Sequence, residues 1–404
     1  MAQTAFYSEL NRFCLAWATP VPGSVTTYGG PLRTEAVDFG VQLRCHQEAL
    51  FEQLLLFDSV NLNITGPNFI APLMYNFMGP KALEQLLEQK ALSFVIWQPQ
   101  PMMTHQDGKV AATFVGSIGD GHRSEFDVEK IIDGGLRLHP TNMGTSYTKV
   151  LRRKLIRCHS LLDPKIPESA WGVAQRALSA GNLQCFGLSR QEGSPIGLPV
   201  AEGETLLRAV ESLQEYRYLL AHGMTSHNNG GVFDLMDVGV DELRKRQSPV
   251  DKYSIIATFE KFPNLRTLFS ELEKPFSRIA RFRKSHTAKR FREWLSSASD
   301  PGSDVELIRE YVDTCGNRKG LFESAPAKFA KLVSMIAISH LAGAEAVAAA
   351  GLVLTSIPAS VINDVLGTAA EFGTGVLDSF LIENLKVGWT PKAYFDGLRR
   401  LRRR

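Results

Sequence analysis

Between Lys331 and Lys386 the sequence has neither lysine nor arginine, and this stretch limits the possible folds more than any motif does. Leu332–Ala344 is nearly all apolar, broken by Ser334, Ser339 and His340. Glu345 follows, and Ala346–Asn363 is then uncharged over 18 residues. A third segment, Val365–Ile382, carries Glu371 and Asp378. Small residues recur four apart at Ser339 and Gly343, Ala346 and Ala350, and Ala369 and Gly373, a spacing that lets helix backbones approach closely. An Ala/Gly-rich helical hairpin is the expectation, with Gly343, Glu345, Gly351, Leu354, Pro358, Gly367 and Gly373 as its marker residues.

Two physical readings of the hairpin compete. It is either the core of a soluble helical fold, or a segment held in soluble form and inserted into a bilayer on a trigger. Spanning needs about 20 apolar residues, which Ala346–Asn363 reaches only marginally. Ala, Ser and Thr add little transfer energy, and Glu345 facing lipid is costly. A permanent anchor is therefore not expected, whereas conditional insertion stays open. In composition alone, over about 331–386, the stretch resembles the hydrophobic hairpins of colicin-type pore formers.

The tail is basic. Thr390 is the expected cap and Pro391 the first residue of a short helix. Tyr394, Phe395, Leu398 and Leu401 form its apolar stripe, and Arg399, Arg400, Arg402, Arg403 and Arg404 its charge. Such a helix suits an anionic membrane surface; a solvated terminal helix is the plainer alternative. A second basic run, Lys274–Arg292, holds Arg278, Arg281, Arg283, Lys284, Lys289 and Arg290 with no acid between Glu273 and Glu293. Phe276, Phe282, Phe291 and Trp294 interleave with it. Phosphates of nucleic acid or anionic lipid are its candidate partners. The bland alternative is a solvated face whose aromatics belong to the core.

At 404 residues two or three domains are expected. The net charge of +3 is too small to argue for nucleic acid across the whole chain. The cysteines Cys14, Cys45, Cys158, Cys185 and Cys315 are dispersed, with no CxxC pair, so neither a disulfide framework nor a zinc knuckle is expected. Dispersed thiols suit a reducing compartment, and the first residues lack the pattern of a secretory leader, so a cytoplasmic location is expected, with membrane association on activation.

The chain reads as mainly α with a small mixed α/β unit at its N-terminus. Residues 1–50 carry too much Pro and Gly to be placed. Leu54–Ile64 begins as an apolar run and then alternates, as a buried strand or a helix passing into one does. Gly79-Pro80 starts a helix with Leu83, Leu86 and Leu87 on one side. Leu92–Trp97 is a strand and Val110–Ile118 another. Helices are expected over 146–162, 168–180, 203–222, 252–273, 276–298 and 303–315, the last with Ser303 and Glu306 as a capping box. The expected domains are an α/β unit over 1–145, a helical body over 146–300, and a C-terminal region over 301–404.

Catalytic candidates are few. Arg217 and His222 form an R-x4-H pair on a helix, a spacing similar to that of helical ribonucleases of the HEPN type, where Arg polarises a phosphate and His moves a proton. Those motifs place a polar residue after the Arg, whereas Tyr218 stands here, and Arg281 and His286 repeat the spacing by chance. His105, Asp107, Asp120, His122, Asp127 and His139 crowd one glycine-rich segment without metal-ligand spacing and read as turn residues. The glycines at 116–121 lack GxxxxGK[ST] and GxGxxG, and no GxSxG elbow occurs. No metal and no cofactor is expected. The resulting functional expectation is a membrane-active or self-associating effector, of the toxin or phage-defence type, whose apolar hairpin is restrained by a soluble helical body. The alternatives are a nucleic-acid-binding or RNase-like enzyme using the basic helical body, and a scaffold or adaptor with the hairpin as core.

Overall fold

The computed structural model describes residues 3–19, 31–97, 102–106, 109–113, 127–137, 144–181, 183, 188, 196–224, 249–260, 262–297, 307–308, 310–311, 314 and 389–403. These residues are mostly helical, with a small parallel sheet near the N-terminus. Contacts group the chain into two compact units, Met1–Ser248 with Leu265–Lys284, and Pro249–Asn264 with Ser285–Arg404.

The first unit opens with strand β1 (Thr4–Phe6), helix α1 (Glu9–Trp17), helix α2 (Val37–Leu56) and strand β2 (Ser59–Ile64). Helices α3 (Ile70–Met78) and α4 (Pro80–Glu88) lead to strand β3 (Leu92–Ile96). Gly79, with φ of 80°, takes the turn that lets Pro80 start α4, and Leu83, Leu86 and Leu87 form its buried stripe as expected. The run Leu54–Ile64 resolves into the end of α2 followed by β2.

Beyond β3 lie β4 (Met102–Gln106), β5 (Lys109–Thr113), α5 (Val128–Arg137), α6 (Thr145–Ile156), β6 (His159–Leu161), α7 (Lys165–Ser179), β7 (Ile196–Pro199) and α8 (Val200–His222). The expected helix over 146–162 is thus shorter than its periodicity suggested, and its last residues form a strand. Strands β1, β2, β3 and β6 make an all-parallel sheet in the order β1-β2-β3-β6. Strands β4, β5 and β7 make an antiparallel sheet in that order.

The register of β2 and β3 sets the two faces of the parallel sheet. Val60 lies beside Leu92, Leu62 beside Phe94 and Ile64 beside Ile96, all buried. Because side chains alternate, Asn61 falls beside Ser93 and Asn63 beside Val95 on the opposite face. There the Asn61 Nδ2 donates to Ser93 Oγ at 3.0 Å, and the Thr4 and Ser59 hydroxyls meet at 2.7 Å. Toward the carboxyl ends this face turns aromatic: Phe6, Trp97 and Tyr218 of α8 pack with ring centroids 5.1–5.6 Å apart. Trp171, Leu178, Leu198, Leu206, Leu213 and Tyr216 form the neighbouring core of α7, α8 and β7.

The helix expected over 252–273 is two, α9 (Pro249–Phe259) and α10 (Leu265–Glu271), separated by Pro263. The helix expected over 276–298 is also two, α11 (Pro275–Phe282) and α12 (His286–Ser297), because the Ser285 hydroxyl accepts the Ala288 N–H at 3.2 Å and starts a new helix. Helices α10 and α11 belong to the first unit. There Phe276 packs on Phe51 and Phe269, with centroids 6.2 and 5.7 Å away.

The second unit holds α9, α12 and α13 (Lys392–Arg402) around an aromatic core. Tyr394 stacks on Phe291 at 3.9 Å, Phe395 stacks on Tyr253 at 5.7 Å, and Tyr311 meets Trp294 edge-on at 5.8 Å. Helix α13 starts one residue later than expected: Pro391, not Thr390, is its cap, and Thr390 contributes its carbonyl to the Ala393 N–H. Ser303 and Glu306 lie outside the described residues.

Candidate functional site

Arg217 and His222 sit in the last turns of α8, which ends at Gly223 in the left-handed conformation. Five residues along an α-helix separate two side chains by roughly 140° around its axis. Arg217 accordingly lines a shallow groove with Lys165, Ile166, Ser169, Leu220 and Ala221, while the exposed His222 ring packs on Tyr218 at 4.5 Å. Tyr218, which follows Arg217, turns to the aromatic face of the sheet, and burial pushes its hydroxyl up to about 12. The described contacts join neither Arg217 nor His222 to a second catalytic group.

The basic run divides between the two units. In the first, Arg281 and Lys284 are exposed and Arg278 is half-buried, but Arg283 is 3% exposed. Its guanidinium donates to the backbone oxygens of Phe57 at 2.9 Å and Asp58 at 2.7 Å, joining α11 to the turn between α2 and β2. In the second unit Lys289 is exposed, Arg290 lies 3.7 Å from Glu293, and Arg292 is buried. Phe276, Phe291 and Trp294 are buried too. Base stacking requires open aromatic faces, so these three rings serve the cores rather than a nucleic acid.

In α13 the apolar stripe is likewise spent on packing, since Tyr394, Phe395 and Leu398 are fully buried. Arg399 donates to the Glu260 carboxylate at 3.2 Å and to its backbone oxygen at 2.9 Å. Arg400, Arg402 and Arg403 are exposed, and Arg404 lies outside the described residues. The hairpin residues Gly343, Glu345, Gly351, Leu354, Pro358, Gly367 and Gly373 also lie outside them, as do Asp107, Asp120, His122 and His139. Asp127 is a helix-start residue, accepting the Glu129 N–H at 2.9 Å. Among the described residues no helix is long and apolar enough to cross a membrane.

The polar groups that the fold does bring together lie at the carboxyl end of β1, where the open ends of parallel strands gather ligand-binding residues. Ser8 donates to Glu215 of α8, with its hydroxyl 3.1 Å from both carboxylate oxygens, and Arg12 reaches the same carboxylate at 3.0 Å. Asn11 donates to Thr65 Oγ1 at 3.2 Å, just past the end of β2. On the other side of the strand the Tyr7 hydroxyl lies 2.7 Å from His46 Nδ1 of α2. No family model, curated protein or solved structure matches this chain.

This cluster leaves no motif in the sequence, because its members come from residues 7–12, 46, 65 and 215. The one local signal was the alternation after Phe57, which places Asn61 and Asn63 on a sheet face that parallel folds usually fill with apolar side chains.

Proposed function

We propose that the chain is an effector that acts at a membrane or by self-association through residues 331–386, with the second compact unit holding the flanks of that stretch. The supporting observation is the seating of Tyr311 and α13, which come before and after it. The Tyr311 hydroxyl donates to Glu260 at 2.9 Å, Arg399 pairs with the same carboxylate, and the Tyr311 and Phe395 rings lie 6.4 Å apart in one core. A stretch whose two flanks share a core suits a hairpin that leaves and returns on one side of a bilayer. The exposed Arg400, Arg402 and Arg403 would then face anionic headgroups. Such a device fits a toxin or a cell-suicide effector in phage defence.

Truncation at Ser324 would remove Tyr394 and Phe395 from the core, so the clean comparison keeps the full chain. Wild type and the double variant Gly351→Glu with Leu354→Lys are compared by flotation and dye release on anionic liposomes, and by toxicity in cells. Wild type is expected to float and to release dye, and the variant to lose both along with toxicity. Wild type that neither floats nor leaks, with toxicity that survives the charged substitutions, overturns the membrane reading.

A further inference from the structure

Helices α7 and α8 pack together within the first unit, and a groove of about 500 Å³ opens where the start of α7 meets the end of α8. Lys165, Ile166 and Ser169 of α7 line it with Arg217, Leu220 and Ala221 of α8. Residues three and four apart share a helix face, so each set forms one wall. Lys165 comes soon after Leu161, the last residue of β6, and parallel sheets gather ligands beyond the carboxyl ends of their strands.

The groove is cationic, and its cations are unpaired. The Arg217 guanidinium makes no hydrogen bond or ion pair among the described residues, and even its buried Nε has no acceptor there. An arginine carries five N–H donors, and the fold uses none of these. The exposed Lys165 ammonium makes no ion pair and the Ser169 hydroxyl no hydrogen bond among the described residues. Among those residues no carboxylate lines the groove. Of the neighbouring acids, Asp163 accepts the Lys165 backbone N–H at 3.0 Å, and Glu168 is exposed outside the lining. The amides at the start of α7 are already used: Ile166 donates to the Asp163 carbonyl at 3.0 Å and Glu168 to that of Pro164 at 3.4 Å, while Pro167 has no N–H. An anion in this groove is therefore held by side chains and not by the helix terminus.

Two cations and a hydroxyl over the apolar Ile166, Leu220 and Ala221 fit a dianion better than a monoanion. A carboxylate balances one charge and offers two oxygens, whereas a phosphate monoester carries about 1.5 to 2 charges at neutral pH and offers three. The planar guanidinium and the compact ammonium can each take different oxygens of one phosphate. The apolar floor is small, with Leu220 38% exposed, and suits a compact body rather than acyl chains. We infer that this groove binds a small soluble phosphate monoester, with its phosphate between Lys165 and Arg217 and its organic body over Leu220 and Ala221. The site is separate from residues 331–386 and does not rest on the membrane reading.

The test is isothermal titration of the full-length chain at low salt with phenyl phosphate, a hexose phosphate and a nucleoside monophosphate. Inorganic phosphate and benzoate are the comparison ligands. At least one ester is expected to bind, and both comparison ligands to bind about tenfold more weakly or worse. Lys165→Gln and Arg217→Gln should each weaken that ester by about tenfold. Arg176→Gln, which removes an exposed charge elsewhere on α7, should leave it unchanged. Lys165 is exposed and unpaired, so its variant decides even where Arg217→Gln fails to fold. The inference is overturned if no ester binds, if inorganic phosphate or benzoate binds as tightly as the best ester, or if Arg176→Gln weakens binding as much as Lys165→Gln. Flotation on phosphatidic acid vesicles that Lys165→Gln abolishes, with no binding of the soluble esters, overturns it in favour of a lipid headgroup.

Discussion

His159 makes the stability of the first unit depend on pH in a direction and window that its surroundings fix. Its ring stacks on Phe94 at 4.7 Å, on the apolar face of the sheet. Nδ1 lies 2.7 Å from the Leu155 carbonyl and so carries the proton, which leaves Nε2 as an acceptor 2.9 Å from Asn68 Nδ2. The amide of Asn68 cannot reverse, because its Oδ1 already accepts the Ala71 N–H at 3.0 Å. A proton on Nε2 would set two donors against each other. Burial pulls the His159 pKa to about 4 although the Leu155 bond favours the charged ring. In the unfolded chain the imidazole titrates near 6.5. Between these values the unfolded state binds more protons, so unfolding becomes easier as pH falls. The contribution is whole above about 6.5, fades down to about 4, and is absent below that. At about 1.4 kcal/mol per pH unit its ceiling is about 3 kcal/mol. Urea unfolding at several pH values across this window, for wild type and His159→Gln, measures it. Wild type should lose up to about 3 kcal/mol more than the variant between pH about 7 and pH about 4. Parallel curves for the two proteins, or a folded-state His159 NMR titration near 6.5, would refute the argument.

Two further predictions concern packing. A β-carbon at Gly135 of α5 would stand 2.0 Å from the Asn68 carbonyl oxygen and 2.5 Å from its carbon. Gly135→Ala, ordinarily a gain inside a helix, should therefore cost about 1–3 kcal/mol in thermal or urea melts, and an unchanged or raised stability would count against the close approach. Phe395→Ala should destabilise the second unit by about 3–5 kcal/mol and reduce its near-ultraviolet circular dichroism; full stability would mean that α13 is not seated in that core.

What was legible in the sequence was local. The stripe Leu83, Leu86 and Leu87 names the side that α4 buries, and the structure keeps it, whereas β2 is buried on both faces, Asn61 and Asn63 included. What was lost were the places where a helical period runs on past a break. Leu151 and Leu155 suggest a helix that continues, yet Cys158 turns back to Leu155 and His159 enters the sheet beside Phe94. Ser285 looked like one more polar residue in a basic helix until its hydroxyl proved to start α12. The groove between α7 and α8 was beyond reach for another reason: Lys165 and Arg217 are far apart in the chain, and only the packing of α7 on α8 puts them around one space.

The basic run shows why charge in a sequence says little about where the charge points. Eight cations between Lys274 and Arg292 suggest a surface for phosphates, but two of the arginines are buried, with Arg283 3% and Arg292 6% exposed. Burying a guanidinium is costly, and the cost falls as its donors find acceptors. At Arg283 the acceptors are backbone carbonyls at the end of α2, oxygens that the helix cannot itself satisfy. The charge there does the work of a helix cap at long range, between residues more than two hundred positions apart in the chain. A phosphate ligand would have to compete with those carbonyls, so any phosphate attraction in the first unit's part of the run falls to the exposed Lys274, Arg281 and Lys284 and the half-buried Arg278.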